Sequence, residues 1–174
     1  ASFAVAHQPP HDAYRIVAID NAEAMPSRLR ERLRENPSLG ARIDVRQEDL
    51  RESEIEDASM VILNFTLQFI DPAAREALMR KIYAGMRPGG LLVISEKIQF
   101  PDADLNELFI DLYHRFKETQ GYSKLEISQK RAALENVLIP ETLAAHRERL
   151  TGVGFHSFDA WFQCFNFASM VAFK

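Results

Sequence analysis

The chain has 174 residues, 47% hydrophobic and 26% charged, which is long enough for one domain with a proper core. Its net charge of −4 excludes a general nucleic-acid binder, which needs a basic excess to neutralise phosphates. The single cysteine, Cys164, excludes an internal disulfide, and the longest apolar run, MVILNFTLQFI, is interrupted by Asn64, Thr66 and Gln68 and is too short to span a bilayer. The opening ASFAVA has neither a basic region nor a long apolar core, so it does not read as a secretion signal, and the cytoplasm is the expected location.

In chain order, RIVAI (15–19), SMVILN (59–64) and GLLVIS (90–95) are continuous apolar runs bounded by turn signals. That pattern predicts strands covered on both faces by helices. ARIDVRQ (41–47) reads as a weaker strand near an edge. Amphipathic helical segments fall at 22–36 and 71–87; Asp71 is placed to cap the second, and Pro72 fits its first turn. RPGG (87–90) is expected to end that helix, since Pro88 cannot continue it. This alternation predicts a parallel sheet with right-handed crossovers. Residues 103–119, 123–138 and 140–151 read as helices, and FHSFDAWFQCF and NFASMVAFK as an antiparallel pair closing the sheet edge.

A parallel α/β sheet that ends in an antiparallel pair resembles the Rossmann-like S-adenosylmethionine-dependent methyltransferase fold. That resemblance implies one domain over 1–174 with a helical insertion at about 103–138. It also implies that ASFAVAHQ is the helix after a glycine-rich loop, with the first, central strand and the loop itself absent from this sequence. A sheet without its central strand has unpaired edges and an open core. The expectation is therefore that residues 1–174 do not fold alone and belong to a chain heavier than 19.9 kDa.

Within that frame a few residues could carry chemistry. Asp20 ends the strand in YRIVAIDNAEAM, where an acid can accept both ribose hydroxyls of a nucleotide; the competing reading is a cap for helix 22–36. Asp49, in RQEDLRE, follows the next strand. The fold it resembles uses an acid there for the adenine amino group and the next backbone amide, Leu50, for a ring nitrogen; the competing reading is a solvated charge cluster with Glu48, Arg51 and Glu52. Asn64 interrupts an apolar strand at its carboxyl end, where it could contact the amino-acid end of the cofactor or merely end the strand. NFTLQF lacks the prolines of the base-amine methyltransferase motif, which counts against that activity. In LEISQKRAALENVL, Arg131 shares a stripe with Ile127, Leu134 and Leu138. A guanidinium there could grip a carboxylate, snorkel at the stripe edge, or pair with an internal acid. The five histidines show no metal-ligand spacing, so no metal is expected, and Trp161, Phe162, Phe165 and Phe167 read as core.

Taken together, IVAIDN, ASMVILNFTLQF, RPGGLLVISEK, GYSKLEISQKRAALENV and WFQCFNFASMVA resemble the carboxy-S-adenosyl-L-methionine synthase family of the bacterial wobble-uridine tRNA modification pathway. The resemblance implies an enzyme that converts S-adenosyl-L-methionine and prephenate to carboxy-S-adenosyl-L-methionine and phenylpyruvate. The route the resemblance implies is that carbon dioxide from prephenate is captured by an ylide at the cofactor's methyl group. It further implies that Asp20, Asn21, Asp49, Leu50 and Asn64 bind the cofactor and that Arg131 binds the new carboxylate. A homodimer is implied, with 103–138 a plausible partner face, and no membrane or stable nucleic-acid partner. The competing readings are a conventional methyltransferase on a small molecule or RNA, and a non-catalytic module.

Overall fold

The computed structural model describes residues 2, 6, 14–134 and 137–174. It divides into two compact units, one up to Glu54 and one from Ile55 to Lys174.

In the first unit, strand β1 (Ile16–Asp20) leads into helix α1 (Ala24–Arg34), a short turn α2 (Pro37–Gly40) and strand β2 (Ile43–Gln47). The two strands pair in parallel from Ile16 opposite Ile43 to Asp20 opposite Gln47. Leu33, Leu39 and Ile43 form the buried core with Ala6, and Tyr14, Ile16, Leu29 and Val45 pack on it. The Tyr14 hydroxyl donates to the Ala6 carbonyl at 2.6 Å. Ser2 and Ala6 are helical; the rest of the expected opening helix lies outside the described residues.

The second unit is a four-stranded sheet in the order β3-β4-β6-β5, with β3 (Ala58–Asn64), β4 (Met86–Lys97), β5 (His156–Cys164) and β6 (Phe167–Phe173). Strands β3 and β4 are parallel, while β6 runs antiparallel to both β4 and β5, as expected for the closing pair. Helices α3 (Pro72–Gly85), α4 (Ala103–Thr119), α5 (Lys124–Leu134) and α6 (Leu143–Val153) complete it. Met79, Ile82, Leu92, Ile94, Met170 and Ala172 lie at the centre of the core, at most 1% exposed.

The helix ends follow from local chemistry. Asp71 caps α3, its carboxylate accepting the Ala73 N–H at 2.8 Å behind Pro72. Asp102 caps α4 through the Leu105 N–H, and Thr142 caps α6 through the Ala145 N–H. Ser123 and Glu126 form a reciprocal capping box on α5: the Ser123 N–H donates to Glu126 Oε2 at 2.8 Å, and the Glu126 N–H to Ser123 Oγ at 3.2 Å. Gly154 ends α6 with φ +119°, a backbone angle that disfavours any side chain.

Four expectations need correction. RPGG does not itself end the helix expected over 71–87: α3 stops at Gly85, and β4 starts at Met86 and runs through all four residues. A bulge absorbs them, since Ala58 faces Met86 but Met60 faces Leu91, and Gly89 takes φ +73°. The apolar runs are not covered on both faces: Val17 in β1 and Met60 in β3 are 43% and 45% exposed. Nor are Trp161 and Phe162 core, because β5 is the outer strand of its sheet and leaves them 66% and 54% exposed. Phe165 and Phe167 are half-buried. Finally, the Arg131 stripe is short. Ile127 is the one buried residue of α5, Leu134 and Leu138 are half-buried, and Arg131 sits at the exposed edge.

Candidate functional site

Within each unit, residues singled out from the sequence lie at or just after strand carboxyl ends, where α/β sheets bind their ligands, whereas Arg131 lies on helix α5. In the first unit, Asp20 closes β1 and Asp49 follows β2 by two residues, so the two acids share one end of a parallel pair. Asp20 Oδ1 accepts the Ala22 N–H at 2.8 Å, tightening the turn that carries exposed Asn21. Asp20 does not cap α1, whose N-cap is Glu23 with no side-chain hydrogen bond. Its second oxygen remains available for a ribose hydroxyl, so this position fits a nucleoside. Asp49 is already engaged: Arg51 grips both of its oxygens, with Nη2 at 2.5 Å and Nε at 3.0 and 3.1 Å, and the Arg51 N–H donates at 2.8 Å. An adenine amino group at Asp49 would share that carboxylate with Arg51. Leu50 is half-buried in the same turn.

In the second unit, Asn64 ends β3 opposite Ser95 and is exposed. The next residue, Phe65, has φ +54°, unusual for a side chain of this size, and donates its N–H to the Ser95 carbonyl at 2.8 Å. What holds the following loop is a residue that the sequence reading passed over. Glu96 is 1% exposed, and its carboxylate collects the N–H groups of Thr66 (3.0 Å), Leu67 (2.8 Å) and Gln68 (3.3 Å). Burial pushes the Glu96 carboxyl up to about 7, against those three donors and Arg75, which pull it down. Gln68 extends the brace, its side chain accepting the Lys97 N–H at 2.9 Å and its carbonyl the Ile139 N–H at 2.9 Å. Arg75, 1% exposed, donates to the Ile70 and Ile139 carbonyls at 2.8 Å and pairs with Glu141 at 2.6 Å. The loop carrying Asn64 is thus tied both to the end of β4 and to the segment after α5. In SEK, Glu96 and Lys97 end an apolar strand; that polarity break was the available signal.

Basic groups meet near the carboxyl end of β4. Lys97 is half-buried there, and burial, together with Lys117 and Arg131, pulls its ammonium below the ordinary range. Burial also lowers His114, helped by Lys117 and Arg131. Arg131, placed by α5, therefore lies within electrostatic reach of β4 and α4, although its own side chain is exposed. Among the described residues no group of acids, histidines and cysteines could hold a metal ion, and no helix is long and apolar enough to cross a membrane.

Comparisons with known proteins agree with this architecture. A family described as Methyltransferase domain matches residues 2–90. Carboxy-S-adenosyl-L-methionine synthase of Aliivibrio fischeri (strain MJ11) is 52% identical over 160 residues, covering 92% of this chain and 66% of that protein. The synthases of Shewanella sp. (strain MR-7) and Trichlorobacter lovleyi are each 55% identical, over 92% and 91% of this chain and 65% of their own length. The chain thus spans just under two thirds of the relatives it matches. Among solved structures, the [4+2]-cyclase SpnF superposes with a TM-score of 0.68 at 14% identity, covering 99% of this chain and 69% of that one. PigF bound to SAH gives 0.66 at 18% identity, covering 99% and 46%. At such identities these two likenesses speak to the fold alone. The chain belongs to the methyltransferase-domain family, with a mixed α/β, Rossmann-like fold and strong similarity to the carboxy-S-adenosyl-L-methionine synthases.

Proposed function

We propose that the full-length protein converts S-adenosyl-L-methionine and prephenate to carboxy-S-adenosyl-L-methionine and phenylpyruvate. The observation that carries this reading is 52–55% identity with enzymes of that name over about 92% of the chain. The reaction balances if prephenate loses its ring carboxylate as carbon dioxide and its ring hydroxyl as hydroxide. The hydroxide takes a proton from the cofactor's methyl group and leaves as water; the methyl carbon forms the new bond to carbon dioxide. Asp20, Asn21, Asp49, Leu50 and Asn64 are assigned to the cofactor, and Arg131 to the carboxylate it gains. The basic groups Lys97, Lys117 and Arg131 near the end of β4 support that last assignment, because cations beside the new carboxylate favour an anionic product. The product would serve carboxymethylation of wobble uridine in tRNA by a second enzyme, in the cytoplasm.

We further assign 103–138 as the face of a homodimer. Leu105, Leu108, Leu112 and Phe116 recur along α4 at helical spacing, each at least 36% exposed, and α4 buries no residue. Incubating the full-length protein with both substrates and weighing the nucleoside by mass spectrometry tests the reaction. A nucleoside heavier by one carboxyl group supports it; a methylated acceptor with demethylated cofactor would instead identify a conventional methyltransferase.

A further inference from the structure

The basic end of β4 has a floor as well as a rim, and the floor is aromatic. Lys97 stands opposite Phe167 in the antiparallel β4–β6 pairing, so their side chains emerge on one face of the sheet. The Phe167 ring meets Tyr113 of α4 at 4.9 Å and Phe65 at 5.9 Å between centroids. Lys117 lies over the Tyr113 ring, with Nζ 4.5 Å from its centre. His114 lies beside the same ring at 6.3 Å between centroids, tilted by 38°. Phe65 and Phe165, which brings its ring to 6.0 Å from Tyr113, both hold positive φ, at 54° and 52°. Such backbone strain persists where the surroundings enforce it, and it concentrates at ligand sites.

The basic groups on this floor come from three separate elements: Lys97, Lys117 and Arg131 carry charge, and burial favours the neutral form of His114. Lys97, His114, Lys117 and Arg131 form no ion pair with any described acid. Lys97 feels Lys117 and Arg131, and His114 feels Lys97, Lys117 and Arg131, with Asp111 acting against them. Lys117 in turn feels Lys130. Like charges so arranged repel, and a half-buried ammonium loses solvation; both costs are relieved by a bound anion.

We propose that Lys97, His114 and Lys117, above the rings of Phe65, Tyr113 and Phe167 and beside Arg131, form an anion subsite for the second substrate, a carboxylic acid that carries a flat unsaturated ring. The assignment rests on the proposed reaction, which needs such an acid next to the cofactor's methyl group. The rings provide an apolar bed for the ring of the acid, and the two lysines and the histidine hold its carboxylate or carboxylates. Arg131 is thereby left for the carboxylate of the product.

Lys97→Met and Lys117→Met in the full-length protein test this, with Lys117→Arg as the charge-conserving control. The expected result is a KM for prephenate raised about tenfold in each Met variant, as loss of one charge-assisted hydrogen bond implies, with S-adenosyl-L-methionine affinity by calorimetry changed less than about twofold. Lys117→Arg should restore most of the KM. If wild type turns prephenate over and both folded Met variants keep its KM, the subsite is wrong and the proposed reaction stands. An equal loss of S-adenosyl-L-methionine affinity in both would also overturn it. Titration with phenylpyruvate separates the remaining case. Should wild type show no turnover yet bind phenylpyruvate, and lose that binding in Lys97→Met and Lys117→Met, the subsite holds and the proposed reaction falls. Absence of phenylpyruvate binding by an inactive wild type sinks both.

Discussion

Replacing Glu96 with glutamine should change how stability depends on pH, in a direction set by burial. In the folded protein the carboxyl sits at about 7, against an ordinary value of 4.5. A raised folded-state value means that the folded protein holds more protons between the two values. The corresponding stability is present in full below about pH 4.5 and is lost as pH rises through about 7. At about 1.4 kcal/mol per unit the whole loss is about 3 kcal/mol, of which about 2.5 kcal/mol falls between pH 5 and pH 8. Glutamine carries no charge at any pH, and its oxygen can still accept from Thr66 and Leu67 as Glu96 Oε1 does. The weaker bond from the Gln68 N–H, at 3.3 Å, is lost at every pH. Urea unfolding of both full-length proteins, followed by circular dichroism at the two pH values, reads the effect. The stability of Glu96→Gln relative to wild type should rise by about 2.5 kcal/mol from pH 5 to pH 8. A difference that stays flat across that range would mean that the three N–H groups hold Glu96 as a stable anion throughout, and the burial argument would be refuted.

His146 should show the opposite sign. Burial lowers it to about 4 from 6.5, Glu141 opposing and Arg149 and Arg75 assisting, so its contribution is present above about pH 6.5 and lost as pH falls through about 4; His146→Gln should flatten this acid-side loss of about 3 kcal/mol in the same urea series. Gly85→Ala would put a Cβ 1.9 Å from the Ile55 carbonyl oxygen, a backbone atom that cannot swing away, and should lower stability by about 3 kcal/mol or more in thermal unfolding. Asp71→Ala removes the α3 cap and should cost about 1 kcal/mol by the same measurement, with Asp71→Asn recovering most of it. Arg131→Ala should weaken carboxy-S-adenosyl-L-methionine by about one to two decades and S-adenosyl-L-methionine far less, as calorimetry would register; equal weakening of both would remove its assigned role.

Strands β1, β3 and the later part of β4 were legible because each is an apolar run bounded by turn residues, and the α3 cap because Asp71-Pro72 writes it locally. The start of β4 was not, since a bulge and the positive φ of Gly89 are properties of pairing with β3 rather than of RPGG itself. Trp161 and Phe162 misled for a related reason: nothing in their own sequence says that β5 is the outermost strand, with faces left exposed. Asp20 and Asn64 could be placed at strand ends from periodicity alone. Glu96 could not be valued, because its three donors come from residues 28 to 30 positions earlier in the chain. The same distance effect hid the cations around Arg131, which three elements bring together from positions scattered between Lys97 and Arg131.

The central claim is that the full-length protein attaches a carboxyl group to S-adenosyl-L-methionine with prephenate as its source. Prephenate labelled with carbon-13 in its ring carboxylate, incubated with the protein and the cofactor, should give a nucleoside that is heavier by one labelled carboxyl group, with phenylpyruvate formed in equal amount. A nucleoside of unchanged mass, or one carrying an unlabelled carboxyl group, would contradict the account.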